Sequence, residues 1–205
     1  MSLASCLTDK ILITVSGSHS GIGKTLLAEY ILSLVKDFAA IKITIEDMFT
    51  AVSSDEKTIM VPGKDTFRLK ARGATKVVWV RSPEESLADA MEQALGLLSD
   101  GNRILIEGNS VLNHVSPDIA FFVFGSEIHK LKPSRLVALQ KAHVIINNIR
   151  DAATDHHLTE QCLRKLNAHA TIVSLNLRDE HAARAFLRDS IKLLSGGELL
   201  RETSI

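Results

Sequence analysis

The chain predicts an α/β fold, three layers in which a mostly parallel sheet is flanked by helices. Three observations carry this reading: apolar, β-branched runs of strand length recur along the 205 residues, amphipathic helical patterns separate most of them, and the first run passes directly into a Gly/Ser-rich loop and a helix. Parallel strands need a long crossover, and a helix packed on the sheet supplies it. In chain order the strand-like runs fall at residues 11–15 (ILITV), 39–43 (AAIKI), 76–80 (KVVWV), 103–106 (RILI), 119–124 (IAFFVF), 143–146 (HVII) and 171–175 (TIVSL). Helical patterns, apolar at three-to-four spacing, fall at 24–37, 83–98, 133–142, 158–167 and 180–194. Pro83, Pro133 and Glu180 supply the proline or acid of a first turn. The segment 46–72 breaks the alternation: it is polar, turn-rich through Pro62-Gly63, and nearly aperiodic, and a loop of that length inside a compact domain is functional or disordered. The tail from Gly196-Gly197 to Ile205 is expected to fray.

Residues 1–205 fit a single domain, long enough to bury a continuous core without disulfides or metals. The 24 Lys+Arg and 24 Asp+Glu cancel, so no global field draws the chain to nucleic acid or to an anionic membrane, and any affinity for phosphate must be local. Cys6 and Cys162 stand far apart in no metal-ligand spacing, which points to a reducing compartment. No apolar stretch approaches the about 20 residues of a membrane span, and no signal peptide is recognisable, so the expected location is the cytoplasm.

The residues from Ile11 to Tyr30, ILITVSGSHSGIGKTLLAEY, have the order strand, Gly/Ser-rich loop, Gly-Lys-Thr and amphipathic helix, which is that of a phosphate-binding P-loop. The expected fold is accordingly the P-loop NTPase fold. Gly17, Ser18, His19, Ser20, Gly21, Ile22, Gly23, Lys24, Thr25 and Leu26 form the candidate nucleotide cradle. Glycines let backbone N–H groups wrap a phosphate without Cβ clashes, Lys24 reaches the β- and γ-phosphates, Thr25 offers a hydroxyl to Mg²⁺, and the helix dipole adds to the attraction. Five residues separate Gly17 from Gly23, where the common pattern has four, and Ser18 stands at the first glycine's place.

Four further constellations suit a nucleotide protein. Arg103-Ile-Leu-Ile-Glu107 is an apolar strand ending in an acid, an arrangement that holds Mg²⁺ or its water shell, or else caps the next turn. The strand at 143–146 runs into Asn147-Asn148-Ile149-Arg150-Asp151, in which Asn148 and Asp151 match two of the three fixed positions of the guanine-reading Asn-Lys-x-Asp element. A polar turn after a strand is the other reading. The strand at 39–43 continues into Thr44, Glu46 and Asp47; Lys42 is a candidate contact for phosphate or substrate and Asp47 a candidate to position water or metal, and a solvated strand edge explains either. Lys64 and Arg68, in the run Gly63-Lys-Asp-Thr-Phe-Arg68, suit an anionic substrate as well as a solvated helical turn.

These residues carry a family resemblance. The P-loop with its five-residue gap resembles that of dethiobiotin synthetase and the cobyrinic acid amide synthetases. Ile41-Lys42, Gly63-Lys-Asp-Thr-Phe-Arg68, Arg72-Gly-Ala74 and Glu107-Gly108 are similar to molybdopterin-guanine dinucleotide biosynthesis protein B over roughly the first half of the chain. That resemblance implies a GTP-binding, slowly hydrolysing homodimer that assists a partner enzyme of molybdenum cofactor maturation. Two departures stand out: Ile43 replaces a histidine of the family's Ile-Lys-His-Thr, and Asn109 replaces the aromatic residue after Glu-Gly.

The mechanism expected from these residues is positional and electrostatic: Mg²⁺ on Thr25 and the nucleotide, Glu107 nearby, and Lys24 with the loop amides neutralising the phosphates. Lys24, Asp47 and Glu107 are the candidate catalytic groups, with GTP, or ATP, as ligand. No arginine finger is obvious in cis unless Arg68 or Arg72 serves, so turnover should be slow. Two other classes remain: an ATP-dependent ligase like dethiobiotin synthetase, and a non-hydrolysing nucleotide switch or scaffold.

Overall fold

A computed structural model of the chain describes residues 3–125, 131–149 and 156–201. Its strands, in chain order, are β1 (Ile11–Gly17), β2 (Ala39–Ile45), β3 (Ala51–Ser53), β4 (Val77–Ser82), β5 (Arg103–Glu107), β6 (Ile119–Phe124), β7 (Val144–Asn148) and β8 (Thr171–Leu175). Its helices are α1 (Leu3–Cys6), α2 (Lys24–Leu34), α3 (Glu56–Ile59), α4 (Asp65–Ala71), α5 (Leu87–Gly96), α6 (Pro133–Gln140), α7 (His156–Leu166) and α8 (Glu180–Ser195). The strands form one sheet in the order β3-β4-β2-β5-β1-β6-β7-β8, parallel throughout except for β3 against β4. The expected α/β class and three-layer arrangement are therefore present.

Period-two alternation divides the core. Along β1, Ile13 and Val15 face one helical layer and Leu12 faces the other. The first layer holds Leu27 and Ile31 of α2, Leu69 of α4, and Leu187 and Ile191 of α8. The second holds Leu3 of α1, Leu87, Met91 and Leu95 of α5, Leu139 of α6 and Leu163 of α7. A strand in the middle of such a sandwich meets apolar groups on both faces, which is why all six residues of β6 are buried.

Four local differences from the sequence expectation have physical causes. The segment 46–72 is not a bare loop: β3 pairs with β4 in the register Ala51↔Arg81, and α3 and α4 are joined where the Thr66 hydroxyl donates to the Ile59 carbonyl at 3.0 Å. Elements of three, four and seven residues are too short to display a period. The helix expected at 24–37 stops at Leu34, because Val35 turns extended and bridges Leu200. The tail does not fray before Arg201: Gly196 ends α8 at φ 63, Leu199 is buried, and the Arg201 N–H donates to the Leu34 carbonyl at 2.7 Å. Finally, the helix expected at 83–98 is divided into a 3₁₀ turn, Glu84–Ser86, and α5. Cys6 and Cys162 are free thiols. Among the described residues no helix is long and apolar enough to cross a membrane.

Asn167 clips α7 to the turn between α6 and β7. Its carboxamide N–H groups donate to the carbonyls of Leu139, Gln140 and Ala142 at 2.9, 3.1 and 2.9 Å, and its oxygen accepts from the N–H groups of His169 and Ala170. Truncating it strands buried backbone groups, so Asn167→Ala should cost about 2–3 kcal/mol and, for a chain of this size, lower Tm by about 5–10 °C. Differential scanning calorimetry of the two proteins checks this; an unchanged Tm would show that water replaces the clip.

Candidate nucleotide site

The loop between β1 and α2 keeps its shape through three anchors. The Asn109 side chain brackets Gly17, accepting from its N–H at 2.8 Å and donating to its carbonyl at 3.1 Å. The Ser18 N–H donates to the Val123 carbonyl at 2.9 Å, and the Ser18 hydroxyl oxygen accepts from the Gly125 N–H at 3.1 Å. A hydrogen bond of 2.9 Å links the Ser18 hydroxyl and His19 Nδ1. Two glycines are required for different reasons. A Cβ on Gly17 would lie 2.9 Å from both Ile22 Cγ2 and the Val123 carbonyl oxygen, whereas Gly23 adopts φ +116° at the N-cap of α2. Thus the loop passes tightly over β6 and enters α2 with no side-chain cap on its first turn.

That cleft has a volume of about 430 Å³ and is lined by Ser20, Gly21, Gly23, Lys24, Thr25, Leu26, Lys42, Asp65, Arg68 and Glu107. Glu107, at the tip of β5 and 1% exposed, is its electrostatic centre. The Thr25 hydroxyl lies 2.9 and 3.1 Å from the two Glu107 oxygens, and the Lys42 ammonium donates to Glu107 Oε1 at 2.6 Å. Lys42 also pairs with Asp65 at 2.7 Å. On the outer side Arg68 Nε donates to Glu29 at 2.5 Å and lies 3.7 Å from Asp65.

These groups set one another's protonation. Burial works against the Lys42 ammonium, but Glu107 and Asp65 outweigh it and raise the group above its usual value of 10.5. Burial likewise opposes ionisation of Asp65, and Lys42 with Thr25 and Arg68 more than reverses that, holding the carboxyl below its usual 3.8. Lys24 moves the other way: burial lowers its ammonium, Lys42 and Arg135 add to the fall, and Glu107 resists it. Lys24 donates to the His19 carbonyl at 2.9 Å, a neutral partner that a phosphate oxygen can replace.

The structure brings most of the sequence candidates together. Ser20, Gly21, Gly23, Lys24, Thr25, Leu26, Lys42, Arg68 and Glu107 share the cleft, while Gly17, Ser18, His19 and Ile22 do not line it; Ser18 and Ile22 are buried and build the loop from behind. Lys64 lines a separate space of about 80 Å³ with Lys42, Thr44, Asp65, Thr66 and Trp79. Asp47, expected to position water or metal, lines neither space and is exposed beyond β2. Asn148 is committed within the protein, donating to the Ile22 carbonyl at 2.7 Å and accepting from the Leu177 N–H at 3.0 Å, so its role is to tie the end of β7 to the P-loop. Asp151 lies outside the described residues. Sequence reasoning passed over Asp65, Glu29 and Asn109. Asp65 is the single acid in a run of cations, and nothing in the period of α2 separates Glu29 from an ordinary helical charge.

No protein-family model matches the chain, and no curated protein matches it either. Two solved structures are similar over nearly the whole chain. HypB from Helicobacter pylori in complex with nickel shares 15% identity at a TM-score of 0.59, covering 98% of this chain and 95% of that one. The hydrogenase maturation factor HypB from Archaeoglobus fulgidus shares 16% identity at a TM-score of 0.57, covering 94% and 95%. The chain has the P-loop NTPase fold. At these identities the likeness concerns the fold, and the geometry above concerns the site.

Since the folded-state value of Lys42 is raised, its contribution to stability is fully present below pH 10.5 and is lost as pH rises through that elevated value. Wild-type Tm should therefore fall more steeply above pH 10.5 than that of Lys42→Met, which has no such group to lose. Parallel melts from pH 9 to about 11.5 measure the difference; equal slopes would mean that the ammonium gains nothing from its two carboxylates.

Proposed function

We propose that the chain is a magnesium-dependent GTP-binding protein that hydrolyses GTP slowly and serves as an accessory factor to a partner enzyme. The observation that carries this reading is the meeting of the Thr25 hydroxyl with the Glu107 carboxylate beside Lys24 at the mouth of a P-loop. A hydroxyl and an acid at the tip of the neighbouring strand are the donor set that Mg²⁺ takes beside a triphosphate, so these residues fit the ion. Bound there, the ion would neutralise β- and γ-phosphate oxygens. Lys24 and the loop amides hold the phosphates, Lys42 lies within the same cleft as a second cation, and Arg68 lines it from α4. Because Arg68 is held by Glu29, it is not free to meet developing charge, and slow intrinsic turnover follows.

For the base, the proposal assigns recognition of guanine to Asp151, with Asn148 holding the strand end against the P-loop. The similarity of Gly63-Lys-Asp-Thr-Phe-Arg68 to molybdopterin-guanine dinucleotide biosynthesis protein B supports a role in molybdenum cofactor maturation. The likeness to a protein described as a hydrogenase maturation factor supports an accessory role more generally. A single domain acting as a cytoplasmic homodimer completes the reading. The small space shared by Lys42, Asp65 and Lys64 favours a second one, an ATP-dependent ligase acting on a small carboxylic acid.

Isothermal titration of GTP and ATP with Mg²⁺ into wild type, Lys24→Ala and Asp151→Asn separates these readings. GTP should bind more tightly than ATP, Lys24→Ala should abolish both, and Asp151→Asn should weaken GTP by about tenfold or more. ATP preference indifferent to Asp151 transfers the chain to the ligase class. Tight binding without multiple-turnover phosphate release makes it a switch, and binding indifferent to Lys24 ends the P-loop assignment.

A further inference from the structure

Lys42 occupies a cation position. Its ammonium is 13% exposed and sits between two carboxylates, 2.6 Å from Glu107 Oε1 and 2.7 Å from Asp65 Oδ2, and the Thr25 hydroxyl reaches the same Glu107. Glu107 is 1% exposed, and a carboxylate so deeply buried needs a compensating charge at all times. A divalent ion bound by Thr25 and Glu107 would supply that charge. It would also crowd Lys42, because Oε1 cannot serve both the ammonium and Mg²⁺ at about 2.1 Å, and two cations on one carboxylate repel each other. The displaced ammonium keeps Asp65 but loses Glu107, so a second anion in its place would stabilise it. In this cleft, which Lys24 also lines, the terminal phosphate of a bound triphosphate would be such an anion.

We propose that Lys42 is a tethered counter-ion that holds the magnesium position while nucleotide is absent and leaves Glu107 for the γ-phosphate when the metal arrives. The exchange rests on the nucleotide reading of the cleft and adds to it a way of telling triphosphate from diphosphate. A diphosphate offers Lys42 no anion beyond the Asp65 it already holds, so Lys42 stays on Glu107 as well and opposes the metal. Mg²⁺ therefore strengthens triphosphate binding far more than diphosphate binding, and removing the ammonium abolishes the difference. Asp65 is a positioning residue here: it keeps the ammonium beside Glu107 and, from α4, ties the segment between β3 and β4 to the state of the site.

Two measurements test this. In the first, Mn²⁺ binding to nucleotide-free protein is followed by electron paramagnetic resonance for wild type, Lys42→Met and Lys42→Met/Glu107→Gln, each checked for a cooperative melt. Lys42→Met should bind Mn²⁺ about tenfold or more tightly than wild type, and the double variant should lose the gain. Wild type binding Mn²⁺ as tightly as Lys42→Met would overturn the proposal. The second uses wild type alone, and so stands even if the variant fails to fold. Dissociation constants of GDP and the β,γ-imido analogue of GTP are measured with Mg²⁺ and with EDTA. Strengthening by Mg²⁺ at least about tenfold larger for the analogue supports the exchange, and equal strengthening for the two nucleotides overturns it. Should neither nucleotide bind, the function proposed above fails, and the Mn²⁺ comparison still decides whether Lys42 holds a cation position.

Discussion

A carboxylate at 1% exposure cannot be left without a positive partner, and the position of Glu107 governs the rest of this site. It stands at the end of β5, next to β1 on one side and β2 on the other, so the elements bearing the P-loop and Lys42 converge on it from both directions. The register sets this directly: Val15 of β1 and Lys42 of β2 both lie opposite Glu107. Thr25 reaches it from the first turn of α2, and Lys42 passes the charge on to Asp65. A substitution at Glu107 therefore acts on four chain segments together, and one at Lys42 strands two acids.

The loop geometry depends on the same convergence. Gly17 must approach β6 closely enough that a Cβ would meet the Val123 carbonyl at 2.9 Å, and Asn109, two residues after Glu107, holds Gly17 from the opposite side. An asparagine there satisfies both backbone polar groups of Gly17, the residue at which β1 enters the loop. At the far side, Asn148 satisfies the Ile22 carbonyl and the Leu177 N–H, so the loop is held by carboxamides at both ends of its arc. Rigid hydrogen bonding of this kind fixes the direction of the backbone N–H groups before any ligand enters.

Much of this was legible in the sequence because it rests on short-range patterns. Strand runs at 11–15, 103–106 and 119–124 sit at the centre of the sheet and read as predominantly apolar segments rich in β-branched or aromatic residues, and Gly17, Gly23, Lys24 and Thr25 have fixed mutual spacing. What escaped was decided by contacts distant in sequence. Asp65 joins Lys42 across residues that show no period, and Asn109 meets Gly17 across 92 positions. Asp47 misled for the opposite reason: it follows the polar alternation of β2, but β2 ends at Ile45 and the chain turns outward before Asp47 can face the cleft. The tail at 196–201 shows no period of its own, because it is held by the burial of Leu199 and by backbone bonds with Leu34 at the end of α2 and Lys36 just beyond it.

Among the described residues, the cations of the cleft differ in the partners that hold them. Lys42 and Arg68 are held by Glu107, Asp65 and Glu29, and Lys24, the third cation of the cleft, is left to a backbone carbonyl. An incoming phosphate gains little from cations already satisfied by carboxylates, and most from Lys24, whose neutral partner is readily exchanged. The first charge to engage should then be Lys24, with Lys42 following only if something takes its place on Glu107. Arg68 is the last, because its release would leave Glu29 buried and unpaired on α2 unless a new cation arrived from outside the chain. The order in which these pairs open is thus set by what each would leave behind.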